Sequence, residues 1–376
     1  TLMNDKEATM SGSIYGKHFQ ISTWGESHGK ALGVVVDGCP AGISLCEEDI
    51  QKSLNRRKPG QNRYSTPRSE DDAVEILSGV FEGKTTGTPI SLIVFNKQQR
   101  SSDYSEIASY YRPGHADYTF DEKYGFRDYR GGGRSSGRET IGRVAAGAIA
   151  AKILDQLGIQ ITAYSKSIGP VMISPERFDL SQRDLNPLAM PDAVAAEEAA
   201  AYLDSCRKNG DSSGGVVECR VTGMIPGLGD PVFEKLSANL AKAMFSIGAV
   251  KSFELGDGIA ASQAKGSTNN DAFSLDTSGN IVKSTNHSGG TLGGISDGSD
   301  LLFRVGFKPT PSISASQQTV NKDRKEISVS IKGRHDPIIV PRAVVVVESM
   351  AALTLTDALF SNMYARMDHI LDFYCR

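Results

Sequence analysis

The chain has 376 residues, of which 39% are hydrophobic and 23% are charged, and its formal net charge at pH 7 is -3. This composition is typical of a soluble globular protein and excludes a general attraction for nucleic acid or anionic membranes, so any basic site has to be local. The five cysteines are scattered without metal-ligand spacing, which favours reduced thiols in a cytoplasmic protein that binds no metal. We expect no membrane-spanning segment, and we expect residues 1–10 to form a flexible extension ahead of one domain, residues 11–376.

The first third of the chain predicts short strands and one early helix. We expect strands at residues 14–24, 32–36, 73–83 and 88–96. A helix is expected over residues 47–57, because Ile50 and Leu54 lie four residues apart. Residues 97–135 show little periodicity, and so long a loop in a compact protein is usually functional.

The remainder predicts longer helices and more strands. A helix is expected after the capping-box sequence at residues 136–139, with Gly158 closing its end. Further helices are expected at residues 193–208, 232–247 and 351–367, and further strands at residues 215–223, 253–260, 301–307, 326–331 and 343–350. Strands in hairpin-like groups with separate helices indicate an α+β fold in a single domain. A weak match between residues 28–38 and 288–298 suggests an internal duplication.

One segment, RDYRGGGRSSGRET at residues 127–140, places four arginines beside four glycines just ahead of a predicted helix. Glycine lets the backbone turn several N–H groups toward one point, and the helix N terminus adds further donors. Arg130, Arg134 and Arg138 lie at the positive end of that helix, where each cation is unfavourable by about 0.3–1 kcal/mol unless an anion is bound. A phosphate-binding turn is one interpretation, and a solvated basic turn is the other.

Other basic loops favour the anion-binding interpretation. Arg57 and Arg63 belong to a second basic cluster, and Lys308 and Arg334 lie in loops that contain glycine or proline. Several such loops in a roughly neutral protein indicate a pocket for more than one anionic group.

Three histidines, His28, His115 and His335, lie in polar loops where an imidazole can exchange protons near neutral pH. The sequence GESHG at residues 25–29 matches the nucleophile elbow of hydrolases, but it precedes a predicted strand rather than a helix. We therefore do not interpret it as a hydrolase motif.

The chain is similar to the chorismate synthase family through long motifs in the family's order, which together span nearly all of residues 11–365. The matching segments are TWGESHGKALG (23–33), RRKPGQNRYSTPRSE (56–70), SGVFEGKTTGTPI (78–90), the segment from RPGHAD to GAIA (112–150), GDSSGG (210–215), HSGGTLGGIS (287–296), FKPTPSI (307–313) and GRHDP (333–337). The resemblance implies a lyase that converts 5-enolpyruvylshikimate 3-phosphate to chorismate and phosphate, the last step of the shikimate pathway. The family performs an anti 1,4-elimination that needs reduced FMN without net redox change.

The resemblance also assigns roles to individual residues. His28 is expected to protonate the departing phosphate, His115 to keep protonation of the reduced flavin in order, and Asp336 to be the carboxylate linked to flavin N5. The expected substrate-binding residues are Arg57, Arg63, Arg130 and Arg138, of which the first two also match NADP-contacting positions of the family. The expected flavin-binding residues are Arg134, Ser135, Ser136, Gly248, Ala249, Gly293, Lys308, Pro309, Thr310, Pro311, Ser312 and Arg334.

The resemblance further implies a β-α-β sandwich, in which two antiparallel sheets enclose helices, and a homotetramer with FMN sites near subunit contacts. Since the large insertions of fungal bifunctional members are absent, the chain resembles the monofunctional bacterial or plastid type. That type takes reduced flavin from a separate flavin reductase, with NADPH as an indirect reductant. Asp297 stands where Ser, Thr or Asn is usual, and because phosphates repel a carboxylate we expect it to point away from them.

Two other functions use the same basic loops. One is a flavin- or nucleotide-binding module without catalysis, but mere binding does not require His28, His115 and Asp336. The other is an RNA-binding protein, against which the net charge of -3 argues.

Overall fold

The structure, a computed structural model, describes residues 12–60, 63–64, 70–97, 106–331 and 336–375. Its strands are β1 Ile14–Tyr15, β2 Gln20–Gly25, β3 Ala31–Asp37, β4 Val74–Ile76, β5 Val80–Phe81, β6 Lys84–Thr85, β7 Ile90–Phe95, β8 Gln160–Ile168, β9 Val171–Met172, β10 Gly215–Thr222, β11 Val250–Leu255, β12 Phe273–Leu275, β13 Ile281–Lys283, β14 Thr291–Leu292, β15 Ile295–Ser296, β16 Leu301–Phe307, β17 Gln317–Val320 and β18 Glu326–Val329. Its helices are α1 Glu47–Arg57, α2 Asp117–Tyr124, α3 Thr140–Asp155, α4 Ala193–Lys208, α5 Leu236–Phe245, α6 Gly266–Asn269, α7 Val340–Asn362 and α8 Met367–Tyr374.

Two antiparallel five-stranded sheets frame the protein, with strand orders β1-β2-β3-β7-β4 and β11-β16-β10-β8-β9. Helix α3 packs on β2, β3 and β7 of the first sheet, α7 packs on β8 and β10 of the second, and the two helices pack on each other. Alternate strand residues point inward, as Val34 of β3 and Phe303 of β16 do with no exposed surface. One continuous core cluster extends from Phe19 to Leu355. The predicted α+β class is confirmed.

The two sheets are built from the same order of elements. The first uses β2, β3, α1, β4, β7 and α3, and the second uses β8, β10, α5, β11, β16 and α7. The strand order β2-β3-β7-β4 of the first corresponds to β8-β10-β16-β11 of the second. The chain therefore repeats one β-β-α-β-β-α arrangement.

A small hairpin precedes the fourth main strand of each repeat, β5-β6 ahead of β7 in the first and β14-β15 ahead of β16 in the second. The Thr86 N–H donates to the Gly79 carbonyl at 3.1 Å, and the Asp297 N–H donates to the Gly290 carbonyl at 3.1 Å. Residues 288–298 thus correspond to residues 77–87. They do not correspond to residues 28–38, which contain β3.

Side-chain hydrogen bonds repeat in the same places. The Thr85 hydroxyl donates to the Pro40 carbonyl at 2.6 Å, and the Ser296 hydroxyl donates to the Ile225 carbonyl at 2.6 Å. Each bond ties the hairpin to the loop that leads from the second main strand toward the helix of its repeat.

Helices α1 and α4 have the predicted bounds, whereas residues 343–350, predicted as a strand, lie inside α7. A run of valines resembles a buried strand, but a helix buried on all sides is also apolar all round. Helix α7 is long and apolar enough to cross a membrane by length and composition. Of its apolar window, 72% is buried inside the protein, so α7 is the central core helix.

Other local predictions were wrong or incomplete. Helix α2 lies in a segment predicted as loop, and the long strand β8 was not predicted. The capping box is wrong, because Ser136 accepts the Arg138 N–H and caps a short 3₁₀ turn at 137–139, and α3 begins only at Thr140. Gly158, at φ 76°, does close the end of α3.

The contact between α3 and α7 predicts a stability test at Gly147. A Cβ atom at this position would lie 2.4 Å from Ser349 Cβ, too close for either helix to keep its position. We expect Gly147→Ala to lower the free energy of unfolding by about 1–3 kcal/mol through overpacking, despite a helix-propensity gain of about 1 kcal/mol. Urea unfolding measures this, with Gly266→Ala as the control, because a Cβ atom there meets nothing within 4 Å. A Gly147→Ala variant as stable as the wild type would contradict the close helix contact.

Candidate active site

His28 lies against the glycine-rich turn. A Cβ atom on Gly131 would lie 2.3 Å from His28 Nδ1, so only glycine leaves room for the imidazole. Ser27 Oγ is 3.1 Å from the same ring nitrogen. Strand β2 positions this loop by ending at Gly25, whose φ of 87° allows the tight return toward β3.

Arg130 follows in the same turn and forms a two-point ion pair with Asp128, at 2.8 Å and 2.6 Å. Both side chains are about half exposed. The pKa of Asp128 is lowered mainly by the hydrogen bonds from Arg130, and the positive charge of His28 contributes to the shift. The turn therefore gathers His28, Arg130 and Asp128 in one place.

Arg57 and Arg138 share a buried carboxylate. Asp72 lies 2.6 Å from Arg57 and 3.0 Å from Arg138, and Glu70 lies 2.5 Å from Arg138. Arg57 is only 1% exposed, and burial lowers its pKa to about 10 although Asp72 opposes the shift. The two predicted anion-binding residues thus come together, but in contact with acidic partners.

Arg63 lies elsewhere, with Asp204 of α4 at 3.1 Å and with Tyr64 as its described partners. The structure does not bring its side chain to the carboxylates that hold Arg57 and Arg138. Arg334 and His335 lie outside the described residues.

The first expected flavin-binding segment is fixed to strand β2. Arg134 donates to the Gly25 carbonyl at 3.1 Å and to the Thr23 hydroxyl at 2.7 Å. The Ser135 hydroxyl donates to the Gly132 carbonyl at 2.6 Å. These bonds hold the backbone of the turn, and Ser136 caps it as described above.

A second group of expected flavin-binding residues lies where β11 meets β16. Ala249 adopts φ 72°, which is uncommon for a residue with a Cβ atom. The Lys308 N–H donates to the Ala249 carbonyl at 2.9 Å, and Lys308 Nζ donates to the Gly114 carbonyl at 2.7 Å. Gly248 precedes this turn, and a Cβ atom on it meets nothing within 4 Å.

His115 joins this second group. Its Nε2 lies 2.6 Å from Ser312 Oγ, and a Cβ atom on the preceding Gly114 would lie 2.9 Å from Pro311 Cβ. On the other side of the loop, the Ser212 hydroxyl donates to the Thr310 carbonyl at 2.7 Å. The loop at 308–312, with the exposed Pro309 at its tip, is therefore held between His115 and the GDSSGG segment.

Asp336 lies between the two groups. Arg342, in the first turn of α7, donates to Asp336 Oδ2 at 2.8 Å and to the Arg57 carbonyl at 3.0 Å. The buried Ser213 donates its N–H to the Pro337 carbonyl at 2.9 Å. Sequence reasoning missed Arg342 and Asp72, and it assigned GDSSGG no role beyond its match to the family.

Gly293 is the expected flavin-binding residue that the structure leaves apart. It lies in the β14-β15 turn, where the next residue, Gly294, accepts the N–H of Leu236 at the start of α5. Gly248 follows the other end of α5, and a helix of ten residues spans about 15 Å. One chain therefore does not collect all the expected flavin-binding residues around one point.

Asp297 forms a buried ion pair with Lys283 at 2.7 Å. The partner, Lys283, ends strand β13, so the ion pair links this strand to the loop after β15. Within the described ranges, no group of three His, Cys, Asp or Glu side chains is arranged to hold a metal ion.

The residues of the second group fit a phosphorylated flavin. Thr310 Oγ1 is buried and has no hydrogen-bond partner in the described part of the chain, so it can donate to a bound acceptor. Lys308 supplies a cation in the same loop.

The Asp72 network predicts a stability test. Asp72→Asn removes the charge shared by Arg57 and Arg138 and leaves a buried guanidinium uncompensated, which we expect to cost about 3–5 kcal/mol of unfolding free energy. Asp128→Asn is the matched control, because an exposed pair contributes about 0–1 kcal/mol. Equal unfolding free energies of the two variants in urea would contradict the assigned burial.

A model of the family described as chorismate synthase matches residues 19–360. The chain is 68% identical over 365 residues to a chorismate synthase of Lachnospira eligens, covering 97% of this chain and 100% of the relative. It is 52% identical over 356 residues to a chorismate synthase of Methanosarcina mazei, covering 94% and 97%. A crystal structure of a chorismate synthase matches with a TM-score of 0.75 and 31% identity, covering 95% of this chain and 96% of that chain. Together with the site geometry, these matches establish that the chain belongs to the chorismate synthase family.

Proposed function

We propose that the site described above carries out the reaction of the family, with His28, His115 and Asp336 as its proton-handling groups. The protein is a carbon–oxygen lyase that converts 5-enolpyruvylshikimate 3-phosphate to chorismate and phosphate, the final step of the shikimate pathway. The bond between C3 and the phosphate oxygen breaks, a hydrogen leaves C6, and a new double bond forms without net redox change.

The contact between His28 and Gly131 carries the proposal. It places an imidazole beside Arg130 in an arginine-rich turn, where a phosphate group and its proton donor can meet. Ser27 orients the ring through Nδ1. We assign to His28 the transfer of a proton to the departing phosphate.

The substrate's phosphate and carboxylates are proposed to bind Arg57, Arg63, Arg130 and Arg138. Arg130 is half exposed and is the most accessible of the arginines in the turn. Arg138 already pairs with Glu70 and Asp72, so a substrate anion has to compete with these carboxylates. Binding therefore rearranges existing ion pairs and does not simply neutralise free cations.

We propose reduced FMN as the cofactor, held by the loop at 308–312, the turn at Gly248 and Ala249, and the segment at 134–136. When bound, reduced flavin supplies electron density as the phosphate leaves and recovers it as the C6 hydrogen departs. His115 Nε2 lies 2.6 Å from Ser312 Oγ, and this contact orients the imidazole for proton exchange. Asp336 offers a carboxylate, oriented by Arg342, that accepts a proton. NADPH is proposed to act indirectly, through a separate flavin reductase.

A homotetramer is proposed, and two observations support self-association. The flavin-binding residues separate into groups at opposite ends of α5, so a second subunit can complete the site. The outer face of the first sheet also exposes apolar side chains, including Trp24 at 40% and Phe95 at 48%. The outer face of the second sheet instead carries charged pairs such as Glu218 with Arg304. A mostly apolar sheet face is typical of an interface between subunits.

We further propose one cytoplasmic domain over residues 11–376, with the layers of a β-α-β sandwich and an origin by internal duplication. The packing of α3 and α7 between the sheets supports the sandwich. The repeated element order and the matching Thr85 and Ser296 hydrogen bonds support the duplication. The proposed extension at residues 1–10 lies outside the described residues.

The self-association proposal predicts the effect of one charged substitution. Phe95→Lys places a charge in the apolar face, so we expect smaller particles in light scattering at equal concentration. Unfolding in urea serves as the control, because an exposed side chain contributes little to the fold itself. An unchanged mass for Phe95→Lys would exclude this face as the interface.

The role of His28 predicts a paired set of variants. His28→Ala is expected to lower turnover by about 10²–10⁴-fold, the contribution of a positioned proton donor, while FMN binding persists. Gly131→Ala is expected to reduce turnover as well, because its Cβ would displace the imidazole.

Gly137→Ala is the matched control in the same turn, because a Cβ atom there meets nothing within 4 Å. Turnover is measured anaerobically as chorismate formed from saturating substrate with chemically reduced FMN. Normal turnover of His28→Ala would remove His28 from the mechanism. Equal turnover of the two glycine variants would remove the role of Gly131.

A further inference from the structure

We propose that Lys251 and Lys308 together bind a phosphate monoester dianion beside the turn at Gly248 and Ala249. The inference rests on the proposed flavin site and adds Lys251, which lies outside the matching segments named in the sequence analysis. The phosphate belongs either to the flavin or to the substrate, and the experiment below separates these sources.

Lys251 is the extra residue of a β-bulge. Strand β11 pairs with β16 through Val250 opposite Phe307 and Ser252 opposite Gly306, so Lys251 has no residue opposite it. A bulge turns the extra side chain away from the regular alternation of the strand, and bulges are common next to active sites. The Lys251 side chain is exposed, as ligand binding requires.

Lys308 lies directly after the neighbouring strand β16, close to the start of β11. It follows Phe307, which pairs with Val250, and its N–H donates to the Ala249 carbonyl at 2.9 Å. One hydrogen-bonded turn thus fixes the backbones of both lysines. The strained φ of 72° at Ala249 lies within this turn, and such strain is frequent at ligand-binding sites.

The electrostatics of the pair are unfavourable without an anion. The pKa of Lys308 is lowered, first by burial and second by the positive charge of Lys251. Lys308 donates to the Gly114 carbonyl, and for neither lysine does the described part of the chain place a carboxylate within ion-pair distance. Lys283, by contrast, lies between Asp271 at 3.3 Å and Asp297 at 2.7 Å. A dianion between Lys251 and Lys308 would remove the repulsion.

A separate observation points to a ligand at the same loop. Thr310 Oγ1, two residues beyond Lys308, is buried and without a hydrogen-bond partner in the part of the chain that the structure describes. A phosphate oxygen provides the acceptor that this hydroxyl lacks. We therefore assign one anion to two cations, Lys251 and Lys308, and to the Thr310 hydroxyl in the loop that follows β16.

The test compares FMN with riboflavin, which lacks the phosphate. The dissociation constants of both flavins are measured by equilibrium titration for the wild type, Lys251→Met, Lys251→Arg and Lys308→Met. We expect Lys251→Met to weaken FMN binding roughly 10-fold, the effect of losing one charge-assisted hydrogen bond, and to leave riboflavin binding unchanged. Lys251→Arg retains the charge and should restore most of the preference. Lys208→Met, at an exposed site at the end of α4, is the control.

The KM for the phosphorylated substrate is measured for the same variants. An unchanged FMN preference with a raised KM in Lys251→Met assigns the pair to the substrate phosphate and also supports the inference. If only Lys308→Met alters either quantity, the role of Lys251 is refuted and the flavin site stands. If neither variant alters either quantity, the phosphate site and the proposed placement of the flavin both fail.

Discussion

The ion pairs of Asp72 with Arg57 and Arg138 are the constraint on which the site depends. Arg57 ends α1, and Arg138 lies just ahead of α3, so one buried carboxylate fixes two of the central helices relative to each other. The Arg57 carbonyl then accepts from Arg342 of α7, which also holds Asp336. Because buried charges are tolerated only when they are paired, this network fixes the positions of Arg57 and Arg138, which are proposed to bind the substrate.

The repeated architecture explains why the site has two parts. Helices α1 and α5 occupy equivalent places in the two repeats. Residues proposed to bind substrate or flavin lie at the C-terminal end of each helix: Arg57 is the last residue of α1, and Gly248 and Ala249 follow α5. In the proposed site, the first repeat contributes the arginines and His28 toward the substrate, and the second contributes Gly248, Ala249 and Lys308 toward the flavin.

The family, the reaction and the helices α1 and α4 could be predicted from sequence, because long motifs and clear periodicity are local properties. The pairing of Asp72 with Arg57 and Arg138 could not be predicted, because it depends on folding across 66 residues.

The valine run at residues 343–350 was predicted as a strand but lies inside α7. A segment that is buried on all sides is apolar throughout, whether it is a helix or a strand, and only the fold reveals that burial. The glycine-rich match between residues 28–38 and 288–298 does not follow the repeated arrangement of strands, since matching glycines do not encode hydrogen bonding. Glu139 fits a capping box by spacing, yet its carboxylate binds Thr23 and Arg143 instead.

In the proposed reaction, one site couples loss of phosphate to loss of the C6 hydrogen without net redox change. The decisive experiment mixes the purified protein with 5-enolpyruvylshikimate 3-phosphate and chemically reduced FMN in the absence of oxygen. We expect chorismate and phosphate in equal amounts, and neither product when oxidised FMN and NADPH are supplied instead. Phosphate without chorismate, or a bound flavin with neither product, would contradict the proposed reaction.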